Sequence, residues 1–107
     1  MSSDAIHNIV TLIPKSGKFN DLLQAFDKLA QYVQANEPET LFYYAVQPKS
    51  KDHIIIVEKY ENVHALKTHA QSAPFKEFGK AIQGLVQAPP DIKTCIFATG
   101  FDIRPKI

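Results

Sequence analysis

Glu58-Lys59-Tyr60-Glu61-Asn62-Val63-His64-Ala65-Leu66-Lys67-Thr68-His69-Ala70-Gln71-Ser72-Ala73-Pro74-Phe75 decides how the rest of this chain is read. The stretch closes an apolar strand, turns at Asn62, runs a short helix past His69 and restarts a helix after Ser72-Ala73-Pro74. Asn62 suits an N-cap, because its side-chain oxygen can accept from an orphan N–H of the first turn. Pro74 suits the first turn of the next helix, where its missing N–H is not needed. At 3.6 residues per turn Val63, Leu66 and Ala70 share one face. His69 falls between Ala65 and Leu66 on the inner side, whereas His64, Lys67 and Thr68 point away. One imidazole is thus aimed inward beside a strand end, with the Ser72 hydroxyl one turn on. That is the arrangement of a site.

Upstream, Ala5–Ile13 reads as a strand rich in β-branched residues and stopped by Pro14. Phe19, Leu22, Leu23, Phe26, Leu29, Ala30 and Val33 recur at the three-and-four spacing of one helical stripe. Ser16 or Asn20 is the expected cap, and Asn36-Glu37-Pro38 ends the helix, since the residue before a proline avoids the α region. Thr40–Gln47 and His53–Tyr60 read as strands joined by the polar loop Lys49–Asp52, which argues for antiparallel pairing. Downstream of Pro74, Phe75, Phe78, Ile82 and Leu85 line one helix face, with Gly79 leaving room beside them. Ile92–Phe101 is the expected last strand. The order strand, helix, strand, strand, broken helix, strand specifies an α+β fold: a ferredoxin-like βαββαβ antiparallel sheet with helices on one face. The strands nevertheless carry Ile, Val, Phe and Tyr on both faces. An uncovered apolar sheet face exceeds what a soluble monomer tolerates, so two sheets packed face to face in a homodimer are expected.

The 107 residues suffice for one domain, with an ordered core at about 5–101 and a C-terminal arm at 102–107. A hydrophobic content of 45% excludes a disordered chain. A net charge of +1 without any Lys/Arg block gives no footprint for nucleic acid or an anionic membrane. No apolar run approaches the ~20 residues that span a bilayer, and Met1-Ser2-Ser3-Asp4 lacks the order of a signal peptide. Cys95, the single cysteine, fits a reducing compartment and a small core hydrophobe; a cytoplasmic location is expected.

Each candidate side chain has a plain structural reading beside a chemical one. His69 is either a core histidine bonded to a backbone carbonyl or Glu58, or a base: an imidazole titrating near 6.5 can take a phenolic proton at neutral pH. Asn8 breaks the apolar face of Ile6, Val10 and Leu12, either as a structural hydrogen-bonder or as an oxyanion donor. Tyr43 and Tyr60 line a cavity or fill the core, while Tyr44 belongs to core or interface. Glu58, inside an apolar strand, needs a partner, and a hydrogen bond across a dimer would supply one. Leu66, Phe75 and Phe78 are the expected apolar wall of a pocket, with Ser72 at its edge. His64 and His69 diverge on the helix and cannot chelate one ion, so no metal site is expected. Phosphate-cradling glycine loops and a Gly-x-Ser-x-Gly elbow are missing, which sets aside nucleotide or flavin cofactors and a serine nucleophile.

Glu58-x-Tyr60 followed by Ala65, His69, Ser72 and Phe75 at these spacings resembles the antibiotic biosynthesis monooxygenase (ABM) family of dimeric α+β barrels. The likeness runs from the first strand through Gly17-Lys18 to the last strand. It implies a dimer whose two sheets close a shared barrel, and it tilts Asn8 toward function, because some haem-degrading relatives carry Asn at this place. The haem-degrading branch has a tryptophan at the place of His69 and an axial histidine near Gly79; only the Asn matches here, so no haem is expected. The reading that follows is a cofactor-independent monooxygenase or oxidase of a small phenol or quinol, using O₂. His69 would be its base, and Asn8 or Tyr43 its oxyanion donor. The rivals are a small-molecule isomerase of the same fold, which would need inward basic residues that are not evident, and a non-catalytic ligand-binding or stress-response barrel.

Overall fold

The computed structural model describes residues 4–104; the expectations for Met1–Ser3 and for the last three residues of the arm fall outside these. Seven elements follow one another: β1 (Ile6–Leu12), α1 (Phe19–Asn36), β2 (Thr40–Val46), β3 (Ile54–Tyr60), α2 (Val63–Gln71), α3 (Ala73–Ile82) and β4 (Asp91–Ile96). They build one antiparallel sheet in the order β2-β3-β1-β4, the ferredoxin-like α+β topology.

Register decides which side chains meet. β1 pairs with β3 as Asn8↔Glu58 and Val10↔Ile56, and with β4 as Asn8↔Thr94. Partners directly opposite share a face. The helix side of the sheet therefore carries Val10, Leu12, Ile54 and Ile56 toward Leu22, Phe26, Ile82 and Val86 in the core. The β2–β3 ladder slips between Thr40 and Phe42, so that Leu41 is the extra residue of a bulge. An unbroken register would set Phe42 opposite Glu58 and turn Tyr43 to the other face. The bulge instead pairs Tyr43 with Glu58 and delivers its phenol to the helix side.

Of the α1 stripe, Leu22, Phe26, Leu29 and Val33 are buried. At about 2 kcal/mol for each such side chain, this packing far outweighs the poor start of the helix. Lys18 sits at that start without a side-chain cap, in place of the expected Ser16 or Asn20. Gly17 precedes it with φ +78°, a conformation that only glycine adopts without strain. Downstream, the Asn62 side chain accepts from Ala65 N–H at 2.9 Å, as the sequence predicts. Ser72 ends α2 and starts α3: its hydroxyl donates to the His69 carbonyl at 2.9 Å and accepts from Phe75 N–H at 3.2 Å. Pro74 occupies the first turn of α3, and a Cβ on Gly79 would meet open space.

Several expectations need correcting. The buried face of α2 is Ala65 and His69, while Val63 is half exposed and Ala70 is exposed. Tyr43 of β2 and Tyr60 of β3 pack on the histidine's side of the helix, which leaves the apolar stripe at the rim. The last strand stops at Ile96 rather than Phe101, and Cys95 is exposed rather than core, because its pairing with His7 places it on the sheet face away from the helices. Ile92 and Ile96, on the helix side of β4, are also exposed, because the edge strand lies beyond the reach of the helices. From Phe97 the chain bends back, with Gly100 at φ +103°, until Asp102 pairs with Lys59 on the other sheet face. That other face bears Ile9, Ile55, Val57, Phe42, Tyr44 and Val46, with Tyr44 and Val46 nearly half exposed.

Candidate functional site: a carboxylate–imidazole–phenol chain

The break between α2 and α3 fixes His69 in the last turn of α2, its carbonyl tied down by Ser72. The ring points to the sheet and is 1% exposed. Three aromatic rings enclose it, with centroids at 4.9 Å for Phe75, 5.0 Å for Tyr43 and 5.5 Å for Tyr60. Both nitrogens are engaged. Nδ1 lies 2.9 Å from Oε1 of Glu37, and Nε2 lies 3.2 Å from the Tyr43 hydroxyl. An ionised carboxylate only accepts, so the network assigns the proton to Nδ1. Nε2 is then a lone pair receiving the Tyr43 O–H. Thr40 donates to the same Glu37 oxygen at 3.1 Å, whereas Oε2 is buried without a partner among the described residues.

A second polar cluster adjoins on the sheet. Tyr60 donates to Oε1 of Glu58 at 2.5 Å, and Thr94 donates to the Asn8 carbonyl at 2.7 Å. Glu58 thus finds partners within its own chain. Burial raises its carboxyl above the ordinary range, with hydrogen bonds from Tyr60 and Asn8 pulling the other way. Burial also raises both phenols: Tyr43 is further raised by the charges of Glu58 and Glu37, and Tyr60 chiefly by Glu58. Burial lowers His69, against the opposite pull of the Glu37 carboxylate. At neutral pH the imidazole is uncharged and both phenols keep their protons.

The amino-acid pattern of the antibiotic biosynthesis monooxygenase family matches residues 5–81, from before β1 to the end of α3. The chain belongs to this family. Solved structures of similar shape include a candidate antibiotic biosynthesis monooxygenase from Caulobacter crescentus. It is 27% identical with a TM-score of 0.84, over 92% of this chain and 93% of that one. A second candidate ABM protein, from Bacteroides thetaiotaomicron, is 21% identical with a TM-score of 0.80 and covers 100% of this chain and 99% of its own. A Pseudomonas aeruginosa protein has a TM-score of 0.82 at 19% identity, over 92% of this chain and 99% of that one. At such identities the last two show the fold alone. No protein of curated function matches the sequence significantly.

Within this ABM domain the residues singled out in the sequence separate into groups. His69, Tyr43, Tyr60 and Phe75 come together around the imidazole. Asn8 lies on the same sheet face, joined to Tyr60 through Glu58. Phe78 sits one step away, edge-on to Phe26, and Leu66 is half buried at the rim. Ser72 serves as a helix cap and does not line the ring. Glu37 escaped notice in the sequence, where Asn36-Glu37-Pro38 reads only as a helix stop. The available signal is an acidic residue at the negative end of a helix dipole, without a basic residue in the last turn.

Proposed function

We propose that this ABM domain is a monooxygenase or oxidase of a small electron-rich phenol or quinol, with O₂ as oxidant and His69 as general base. The observation that carries this reading is the buried Glu37–His69–Tyr43 chain, whose Nε2 lone pair is already occupied by a phenolic hydroxyl. A substrate phenol is the same chemical group in competition with Tyr43 for the same acceptor. A cavity of about 290 Å³ between α1 and β2 is lined by Tyr43, Thr40, Leu41 and Val33 with the polar Asp27, Gln31 and Gln34; His69 does not line it, so a substrate there reaches Nε2 only by displacing the Tyr43 hydroxyl.

The substrate hydroxyl gives its proton to Nε2, leaving a phenolate that passes one electron to O₂. The resulting phenoxyl radical and superoxide combine at a ring carbon bearing hydrogen. The peroxide takes a proton, and the C–H and O–O bonds then break. One oxygen atom stays as a quinone carbonyl and the other leaves as water. The substrate supplies all the electrons. Tyr43 or Asn8 donates to the developing oxyanion, while Tyr60, Leu66, Phe75 and Phe78 exclude water around it.

Oxygen uptake with anthrols and hydroquinones tests the reading. Uptake should fall by roughly 10²–10⁴-fold per folded molecule in His69→Ala, the usual contribution of a general base. Undiminished uptake per folded molecule would end the assignment. A second reading draws on the enclosure of His69 with both nitrogens satisfied: a non-catalytic barrel in which the chain is structural. It predicts no turnover with any phenol and unaltered ligand binding on loss of His69.

The open sheet face supports a homodimer. Ile9, Phe42, Tyr44, Val46, Ile55 and Val57 form an apolar surface that a second copy would cover, with upward of roughly 2,000 Å² buried in total. A monomeric mass by light scattering at micromolar concentration would refute this. The exposed free thiol of Cys95 suits a reducing cytoplasm. No described helix is long and apolar enough to cross a membrane.

A further inference from the structure

Glu37 breaks two rules at once. It stands at the C-terminal end of α1, where the helix dipole is negative and a carboxylate is disfavoured, and no basic residue occupies the last turn to offset it. It is also 7% exposed with Oε2 unpartnered among the described residues, although a buried carboxylate oxygen without a donor is costly. A carboxylate kept only for structure would be satisfied by neutral donors, as Glu58 is by Tyr60 and Asn8. Glu37 has one neutral side-chain donor among the described residues, Thr40, and otherwise faces the ring nitrogen of a titratable group. Pro38 and the Thr40 N–H bond to the Glu37 carbonyl, at 3.0 Å, lock the turn that holds it there.

We propose that Glu37 is the positioning residue of the site: its carboxylate holds the proton of His69 on Nδ1, aims the Nε2 lone pair at the incoming hydroxyl, and balances the imidazolium formed when that hydroxyl gives up its proton. This rests on the reading of His69 as the base. The proton balance is local. One proton leaves the substrate oxygen for Nε2, the imidazole gains one positive charge, and the Glu37 carboxylate 2.9 Å away is the counter-charge. The groups facing the ring are Glu37 from the end of α1, Tyr43 from β2, Tyr60 from β3 with Glu58 behind it, and the Phe75 ring from α3. Glu37 is the one of these whose charge favours the imidazolium through direct contact.

Nitrogen-15 NMR of the full chain reads the proposal without any substrate. The parent His69 should be the Nδ1–H tautomer at neutral pH. In Glu37→Gln the amide can donate to Nδ1, so the tautomer should shift toward Nε2–H. The titration of His69 should also move to lower pH, because the carboxylate that supports the cation is gone. With an active phenol, kcat/KM should fall by roughly 10²-fold or more. Its acid limb should move to lower pH, which a merely structural loss would not do. An Nε2–H tautomer in the parent, or an unchanged tautomer and titration in Glu37→Gln, would overturn the proposal. Failure of every phenol to turn over would end the oxidase reading and leave the NMR result standing. Should Glu37→Gln not fold, Thr40→Val removes the hydroxyl donor that competes for Oε1. The His69 titration should then move up; no movement there counts against the proposal.

Discussion

Two corners of this molecule bury a carboxylate, and they treat it in opposite ways. Glu58 lies in the middle of β3, between Asn8 and Tyr43 on neighbouring strands, and accepts from donors that keep their protons across the physiological range. Glu37 lies in the turn between α1 and β2 and meets an imidazole, a group that can gain a proton, although burial holds its titration below the ordinary 6.5. The difference separates a carboxylate that organises a sheet face from one that, on the proposed reading of His69, prepares a base. The largest expected effect breaks the Glu37 corner. His69→Ala leaves a buried carboxylate bonded to Thr40 alone, and removing one partner of such a pair costs about 3–5 kcal/mol. The melting curve of this variant should fall by far more than that of Asn8→Ala. Equal shifts would mean that the two carboxylates are equivalent.

The sequence makes the fold legible because period and punctuation agree along the chain. The α1 stripe, the Asn62 cap, Pro74 and the polar loop at Lys49–Asp52 each announce an element, and their order leaves one common topology. Half of the site is legible for the same reason: His69 projects inward from a helix whose cap fixes its phase. The other half depends on tertiary facts. Tyr43 reaches the imidazole only because a bulge at Leu41 reverses the parity of β2, and a one-residue slip leaves no mark in an aromatic run such as Leu41-Phe42-Tyr43-Tyr44. Glu37 is 32 residues from His69 in sequence, and nothing local links them. Ser72 looked chemical because of its spacing from His69, and the same spacing makes it a cap. Cys95 looked like core because its strand is apolar, but its pairing with His7 turns it to the sheet face that no helix covers.

A pH series sharpens the contrast. The folded-state value of Glu58 is raised above its ordinary 4.5, so the fold favours the protonated form. Its contribution is full below 4.5 and is lost as pH rises through the folded value. Glu58→Gln imitates the protonated form and should melt a few degrees higher than the parent near pH 7, since about 1 kcal/mol moves the midpoint of such a domain by ~4–8 °C. That advantage should vanish below pH 4.5. His69 works in the other direction. Its folded value is lowered below 6.5, so the stability tied to it is present above 6.5 and is lost as pH falls through the folded value. The acid-side loss should persist in Glu58→Gln and be absent from His69→Ala. A Glu58→Gln variant less stable than the parent at pH 7 would show that its hydrogen bonds outweigh the cost of burying the charge.

The smallest expected effect lies at the far edge of the Glu58 corner. Thr94, on β4, donates to the Asn8 carbonyl at 2.7 Å and so fixes the Asn8 amide with its N–H groups toward Glu58. Thr94→Val keeps the shape and removes the donor. The net value of one such bond is about 1 kcal/mol, and β4 is exposed enough for water to replace part of it. The melting midpoint should therefore drop by a few degrees at most. The informative measurement is the pH dependence. If Asn8 reaches Glu58 only when Thr94 holds it, the carboxyl loses an opposing hydrogen bond, its value rises further, and the loss in Thr94→Val should grow from pH 4.5 to pH 7. The His69 titration and the acid limb of any phenol oxidation should stay where they are, because Thr94 belongs to the carboxylate that organises the sheet. A shift of that limb in Thr94→Val would join the two corners into one network and remove the distinction between them.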